Sequence, residues 1–235
     1  MSLMKVSWWT RFLDFISPRL CVVCSNRLAP TERSLCSCCL LHLPRTTYQF
    51  TPYDNPMAQL FWKLVPIQRA AALIYYEPHS EVAQIIYQMK YNDRPDIGED
   101  MGRLMANDMQ LAGYFDGIDV LLPVPLSRKR LRQRGYNQSE QLALGISDIT
   151  HLPIARKALK RRHFRQSQTQ LSRRERQENV SDMFVLHDDS QLKGRHVLLI
   201  DDICTTGATL IACTEALRDV EGIRISVLTF GFTKS

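Results

Sequence analysis

Residues 197–209 read Val197-Leu198-Leu199-Ile200-Asp201-Asp202-Ile203-Cys204-Thr205-Thr206-Gly207-Ala208-Thr209, and this stretch decides the fold. Four apolar residues in a row predict a strand buried on both faces, as in sheets covered by helices. Two carboxylates stand at its carboxyl end, and a Thr/Gly turn then opens a helix. Backbone N–H groups of such a turn, with the helix N-terminus, make a cradle for a phosphate dianion. Gly207 allows close backbone approach, and the Thr205, Thr206 and Thr209 hydroxyls add donors. The adjacent acids suit acceptance of hydrogen bonds from vicinal hydroxyls, or ligation of Mg²⁺. One end of the stretch would grip a sugar and the other its phosphate. A strand ending in an Asp-rich turn with Thr as helix cap is the plain structural alternative.

Outward from this stretch, strands and helices alternate. Ala70–Tyr76 reads as a strand, and Val82, Ile85, Ile86 and Met89 recur at the spacing of a helix over Ser80–Tyr91. Met101, Leu104, Met105 and Met109 repeat that pattern, and Asp119–Val124 is a short strand stopped by Pro123 and Pro125. A helix is expected over Gln138–Ser147, strands over Met183–Leu186, His196–Ile200 and Ile223–Phe230, and a helix over Ala208–Asp219. Arg161–Val180 has few apolar anchors and reads as a mobile loop. The alternation predicts an α/β fold with a mainly parallel sheet flanked by helices, binding its ligand at the carboxyl ends of the strands.

At 235 residues, 45% hydrophobic and 23% charged, the chain has room for one ordinary domain and a small appendage. That composition excludes a disordered chain, a collagen-like fibre and a disulfide mini-scaffold. The sequence has no apolar run long enough to make a membrane-spanning helix. The net charge of +6 is unevenly spread: between Leu126 and Glu178 fourteen Lys/Arg face four Asp/Glu, so the rest of the chain is net acidic. A local polyphosphate or nucleic-acid contact accounts for this as well as a solvated surface does. Over residues 1–20, Trp8, Phe12, Phe15 and Ile16 predict a short amphipathic helix that packs on its own domain or docks on a partner. Lys5, Arg11, Asp14 and Arg19 interrupt any export signal there, which places the protein in a reducing cytoplasm.

Five of seven cysteines fall between positions 21 and 39. Cys21-Val-Val-Cys24 and Cys36-Ser-Cys-Cys39 form two C-x2-C pairs separated by eleven residues, the spacing of a structural zinc site with Cys21, Cys24, Cys36 and Cys39 as ligands. Cys38 lacks the pair spacing, and His42 stands just past the site as bystander or substitute ligand. Cys204 and Cys213 read as buried thiols. The expected organisation is a helix over 1–20, a four-cysteine zinc module over 21–45, a connecting segment over 46–69 and the α/β domain over 70–235.

The 197–209 string closely resembles the phosphoribosyl-pyrophosphate (PRPP) signature of type I phosphoribosyltransferases. Met89-Lys90-Tyr91, Pro123-Val124-Pro125-Leu126, Arg134-Gly-Tyr-Asn137-Gln138 and Gln168-x-x-Leu171-x5-Gln177-x-Asn179-Val180 precede it in that order, behind the double C-x2-C module. Together these resemble the ComF/GntX family of competence and DNA-utilisation proteins, over residues 20 to 233. The resemblance implies a type I phosphoribosyltransferase-like fold behind a zinc module. It implies that Asp201 and Asp202 bind the ribose, and that Thr205, Thr206, Gly207, Ala208 and Thr209 hold the 5′-phosphate. It places Val124 and Pro125 in the pyrophosphate loop, and Gln168, Arg173, Arg174 and Arg176 in a flexible loop covering the site. Arg128, Lys129, Arg132 and Arg134 follow the pyrophosphate loop as further charge. Two functions fit the resemblance. One is a Mg²⁺-dependent phosphoribosyltransferase of nucleotide salvage linked to DNA uptake, taking PRPP or a nucleotide-like ligand. The other is a non-catalytic accessory protein of competence that binds nucleotides, single-stranded DNA or DNA-uptake proteins.

Overall fold

A computed structural model describes residues 18–162 and 183–233. The helix expected over 1–20, save its last three residues, and the loop expected over Arg161–Val180, save its first two residues and so including Gln168, Arg173, Arg174 and Arg176, lie outside the described residues. In chain order the elements begin with α1 (Ser37–Leu41), a 3₁₀ turn (Tyr48–Phe50), α2 (Pro56–Gln59), β1 (Ile67–Tyr75), α3 (Ala83–Tyr91) and α4 (Pro95–Gln110). There follow β2 (Val120–Pro123), α5 (Arg128–Arg134), α6 (Gln138–Thr150), β3 (Leu159–Arg161) and β4 (Phe184–Leu186). Last come β5 (His196–Cys204), α7 (Ala208–Leu217) and β6 (Arg224–Phe232).

The central sheet has the order β1-β6-β5-β2, and every pair in it is parallel. Val197 to Ile200 are fully buried, flanked by Val120–Pro123 on one side and Ile225–Leu228 on the other. A parallel bridge from Leu121 to Ile154 extends the sheet beyond β2. β5 runs past the expected end at Ile200, through both acids to Cys204. Its neighbour β6 continues alongside it, with Asp201 opposite Thr229 and Cys204 opposite Phe232. A paired ladder holds the carboxylates, so they stand on rigid backbone.

The elements differ from expectation in three further places. α5 was not expected, because Arg128–Arg134 carries no apolar stripe; Ser127 caps it by accepting from the Arg130 N–H, and Gly135 closes it at φ 76°. β3 and β4 form an antiparallel pair apart from the main sheet, either side of residues 163–182. The stretch expected as a connector packs as part of the domain: Tyr48, Met57, Phe61 and Val65 are buried, and β1 begins at Ile67 rather than Ala70. Among the described residues no helix is long and apolar enough to cross a membrane.

Candidate functional site

The turn leaving β5 depends on Gly207, which sits at φ 75° as the N-cap of α7. A side chain there would be strained by that φ. It would also place a Cβ 3.2 Å from the Phe61 ring, which lies buried beneath the turn. The first N–H groups of α7 have no helical carbonyl to bond, and they lie beside the exposed Thr205 and Thr206.

Asp201 and Asp202 are already engaged. Ser139 Oγ donates to Asp201 Oδ1 at 2.9 Å, and Lys90 Nζ stands 2.8 Å from Asp202 Oδ2. Burial, and then the charge of Asp202, push the Asp201 carboxyl up to about 7. Ser139 comes from the first turn of α6 and Lys90 from the last turn of α3.

Two short motifs noted in the sequence turn out to be halves of one contact. Tyr136 Oη and Gln138 Nε2 both donate to the Met89 carbonyl, at 2.7 and 3.0 Å, which fixes the end of α3 next to Lys90. Asn137 caps α6 through its side-chain oxygen, while its Nδ2 donates to the Val124 carbonyl at 3.0 Å. Val124 in turn donates its N–H to Ile200. A single hydrogen-bonded frame thus sets the α3 end, the Val124-Pro125 turn and the acid pair.

Asp201, Asp202, Thr205, Thr209, Val124 and Pro125 all line one pocket of about 260 Å³. Lys90, Arg130, Arg134 and Arg161 line it as well, so four cations face two acids. Thr206 and Ala208 are exposed on the turn outside the pocket, and Gly207 lies beneath it. Of the basic residues considered after the Val124-Pro125 turn, Arg134 reaches the pocket, while Arg128, Lys129 and Arg132 are exposed outside it. Arg130 takes its place beside Arg134 because i and i+4 share one helix face, a relation hidden while α5 was unrecognised. Lys90 belonged to a quoted motif without an assigned role. Ser139 and Arg161 carried no signal in the sequence.

Residues 90–231 match the phosphoribosyl transferase domain family. The chain is 31% identical over 201 residues to the DNA utilization protein YhgH of Escherichia coli, covering 84% of this chain and 83% of that protein. It is 26% identical over 219 residues to competence protein F of Haemophilus influenzae, covering 87% and 94%. It is also 30% identical over 122 residues to competence protein ComFC of Bacillus subtilis, covering 52% and 47%. The chain belongs to the ComF family, with a phosphoribosyltransferase fold.

In this ComF-family chain the N-terminal cysteines also converge. The Sγ atoms of Cys21, Cys24, Cys36 and Cys39 all lie within 4.8 Å of one another, and Cys24 and Cys36 are 3.7 Å apart. A tetrahedral thiolate site with 2.3 Å metal–sulfur bonds has sulfur–sulfur edges of about 3.8 Å, so the four groups can hold a metal ion. Burial opposes ionisation of the Cys21 thiol, but backbone bonds from Cys24, Cys36 and Val23 outweigh it and bring it to about 7. Cys38 points away, exposed, with its Sγ 3.8 Å from His42 Nδ1, and neither residue joins the cluster. Burial pushes the Cys204 thiol up to about 12 and Cys213 well above its ordinary value, which leaves both inert.

Proposed function

We propose that the ComF-family chain binds PRPP or ribose 5-phosphate and transfers the phosphoribosyl group in nucleotide salvage linked to DNA use. The observation that carries this reading is the opening of Asp201 and Asp202 onto the same pocket as the Thr205–Thr209 turn. The turn's N–H groups and hydroxyls receive the 5′-phosphate. The acids accept the ribose hydroxyls, displacing Ser139 and Lys90. In transfer, the bond from C1 to the pyrophosphate oxygen breaks with its electron pair leaving on pyrophosphate, the acceptor's lone pair closes on C1, and the acceptor's proton passes to the released pyrophosphate or to water. Lys90, Arg130, Arg134 and Arg161 offset the charge that collects on the leaving group. The carboxylate oxygens suit Mg²⁺, which would arrive with the diphosphate and share that charge. The cysteine cluster, with all four positions taken by protein, is a structural zinc site.

Calorimetry with PRPP and ribose 5-phosphate in Mg²⁺ tests the reading. Binding to the wild type is expected, with loss in the Asp201→Asn/Asp202→Asn variant; indifference of the wild type to both ligands overturns it. Pyrophosphate release from PRPP with a panel of bases tests transfer. The exposed Arg128, Lys129 and Arg132 favour a second reading, an accessory protein that binds single-stranded DNA. No turnover with any base, alongside DNA binding that weakens steeply with salt, would decide for it. Metal analysis of the purified protein should find about one zinc per chain.

A further inference from the structure

Two of the cations that line the pocket, Arg134 and Lys90, are held there in different ways. Arg134 rests on a neutral group: its Nη1 donates to Gln138 Oε1 at 2.8 Å. Gln138 is buried, and its Nε2 donates to the Met89 carbonyl at 3.0 Å. Tyr136 Oη donates to that same carbonyl at 2.7 Å. The backbone just before Lys90 is therefore pinned, and Lys90 moves only along its own side chain. The ammonium at the end of that chain stands 2.8 Å from Asp202 Oδ2, with the Lys90 side chain 20% and the Asp202 side chain 15% exposed. A pair so sheltered is screened little by salt, and separating it leaves two half-buried charges without partners. Lys90 also borders an adjoining cavity of about 340 Å³, so its four methylenes have room to swing away from the acid.

We propose that Lys90 is a specificity-determining residue: its ion pair with Asp202 opens for a phosphopentose that carries a diphosphate at C1 together with a divalent cation, and resists ribose 5-phosphate. The proposal rests on the phosphoribosyl reading and ranks the two ligands which that reading allows. A ligand that opens the pair must supply an anion for Lys90 and a cation for Asp202. PRPP with Mg²⁺ supplies both: the diphosphate oxygens accept from the Lys90 ammonium, and Asp202 exchanges that ammonium for the metal. Ribose 5-phosphate carries only a hydroxyl at C1, and its one phosphate belongs at the Thr205–Thr209 turn. It offers Asp202 a neutral donor and Lys90 no anion, so the energy of the pair is lost without replacement. The contact that neutralises Asp202 in the empty pocket thus sorts ligands by their charge at C1.

Calorimetry on the full chain tests this, with PRPP and ribose 5-phosphate in Mg²⁺, and with Mg²⁺ alone. The wild type is expected to bind PRPP at least about 10-fold more tightly than ribose 5-phosphate, the worth of one charge-assisted contact. In Lys90→Met the diphosphate loses a partner and Asp202 stands open. PRPP should bind more weakly, ribose 5-phosphate more tightly, and the preference should shrink by roughly 10-fold. Mg²⁺ alone should bind Lys90→Met more tightly than the wild type, a gain that a damaged site would not give. Lys90→Gln can still donate to Asp202, which protects the fold, and should shift all three affinities in the same directions. Lys90→Arg keeps the charge and should keep the preference. A preference or a Mg²⁺ affinity unchanged in Lys90→Met and Lys90→Gln, or both ligands weakening equally, overturns the proposal and leaves the phosphoribosyl reading standing. Failure of both ligands to bind the wild type overturns that reading, and the role of Lys90 with it.

Discussion

At Asp201 a buried carboxyl costs the fold stability as the pH rises toward neutral. This carboxyl, pushed up to about 7 by burial and then by Asp202, sits well above that of an unfolded aspartate. Between about pH 4 and pH 7 the folded chain therefore holds a proton that the unfolded chain has released. The stabilisation from this group is full below pH 4 and drains away as pH rises through 7. Asn copies the shape of the protonated acid without the titration. Asp201→Asn should thus melt close to the wild type at pH 4.5 and gain on the order of 2 kcal/mol over it at pH 8. Calorimetric melts across that range check this, and a constant difference between the two proteins would refute it. The same variant is expected to lose ribose 5-phosphate binding.

At the scale of elements, α4 and α6 are set by glycines. A Cβ on Gly102 would press into the Leu142 carbonyl oxygen and come within 2.9 Å of the Gly145 Cα. Those neighbours are backbone and cannot swing aside, so the helices must part. Gly102→Ala should cost about 3 kcal/mol in urea unfolding. Gly117→Ala is the contrast: φ is +72° but nothing lies within 4 Å of its Cβ, so only the backbone strain of about 1 kcal/mol applies. Similar losses at the two positions would argue against close helix approach. These helices were legible in the sequence because their apolar residues recur with the helical period, and the parallel strands because each is a short, mostly apolar run. α5 was not, since a helix that lies on the surface buries no stripe and announces itself only through its caps. β3 and β4 are three residues each, too short for a period to show. The acid pair and the Thr205–Thr209 turn were legible as one unit because they are contiguous in sequence. Lys90, Ser139, Arg130 and Arg161 come from four separate elements, and only packing brings them to the acids.

Across the whole molecule, Asp100 joins the cysteine module to the α/β domain. From α4 it accepts from Ser34 Oγ at 2.6 Å, from Arg33 at 3.4 Å and from Arg103 at 3.0 Å. Arg103 continues to Asp148 on α6 at 2.7 Å. Ser34 is buried and Asp100 is 14% exposed, so these bonds are worth more than an exposed ion pair. A second tie runs along β1, where Thr46 N–H donates to Leu73 and Tyr75 N–H to Pro44. A metal held by the four cysteines would supply the module's folding energy. Through these ties its loss should reach the sheet. Chelation is therefore expected to lower the melting temperature of the whole chain by several degrees. Asp100→Ala should keep the bound metal, cost about 1–2 kcal/mol, and shrink the chelator's effect on the melt by a comparable amount. Equal losses on chelation in wild type and variant would mean that Asp100 does not link the two parts.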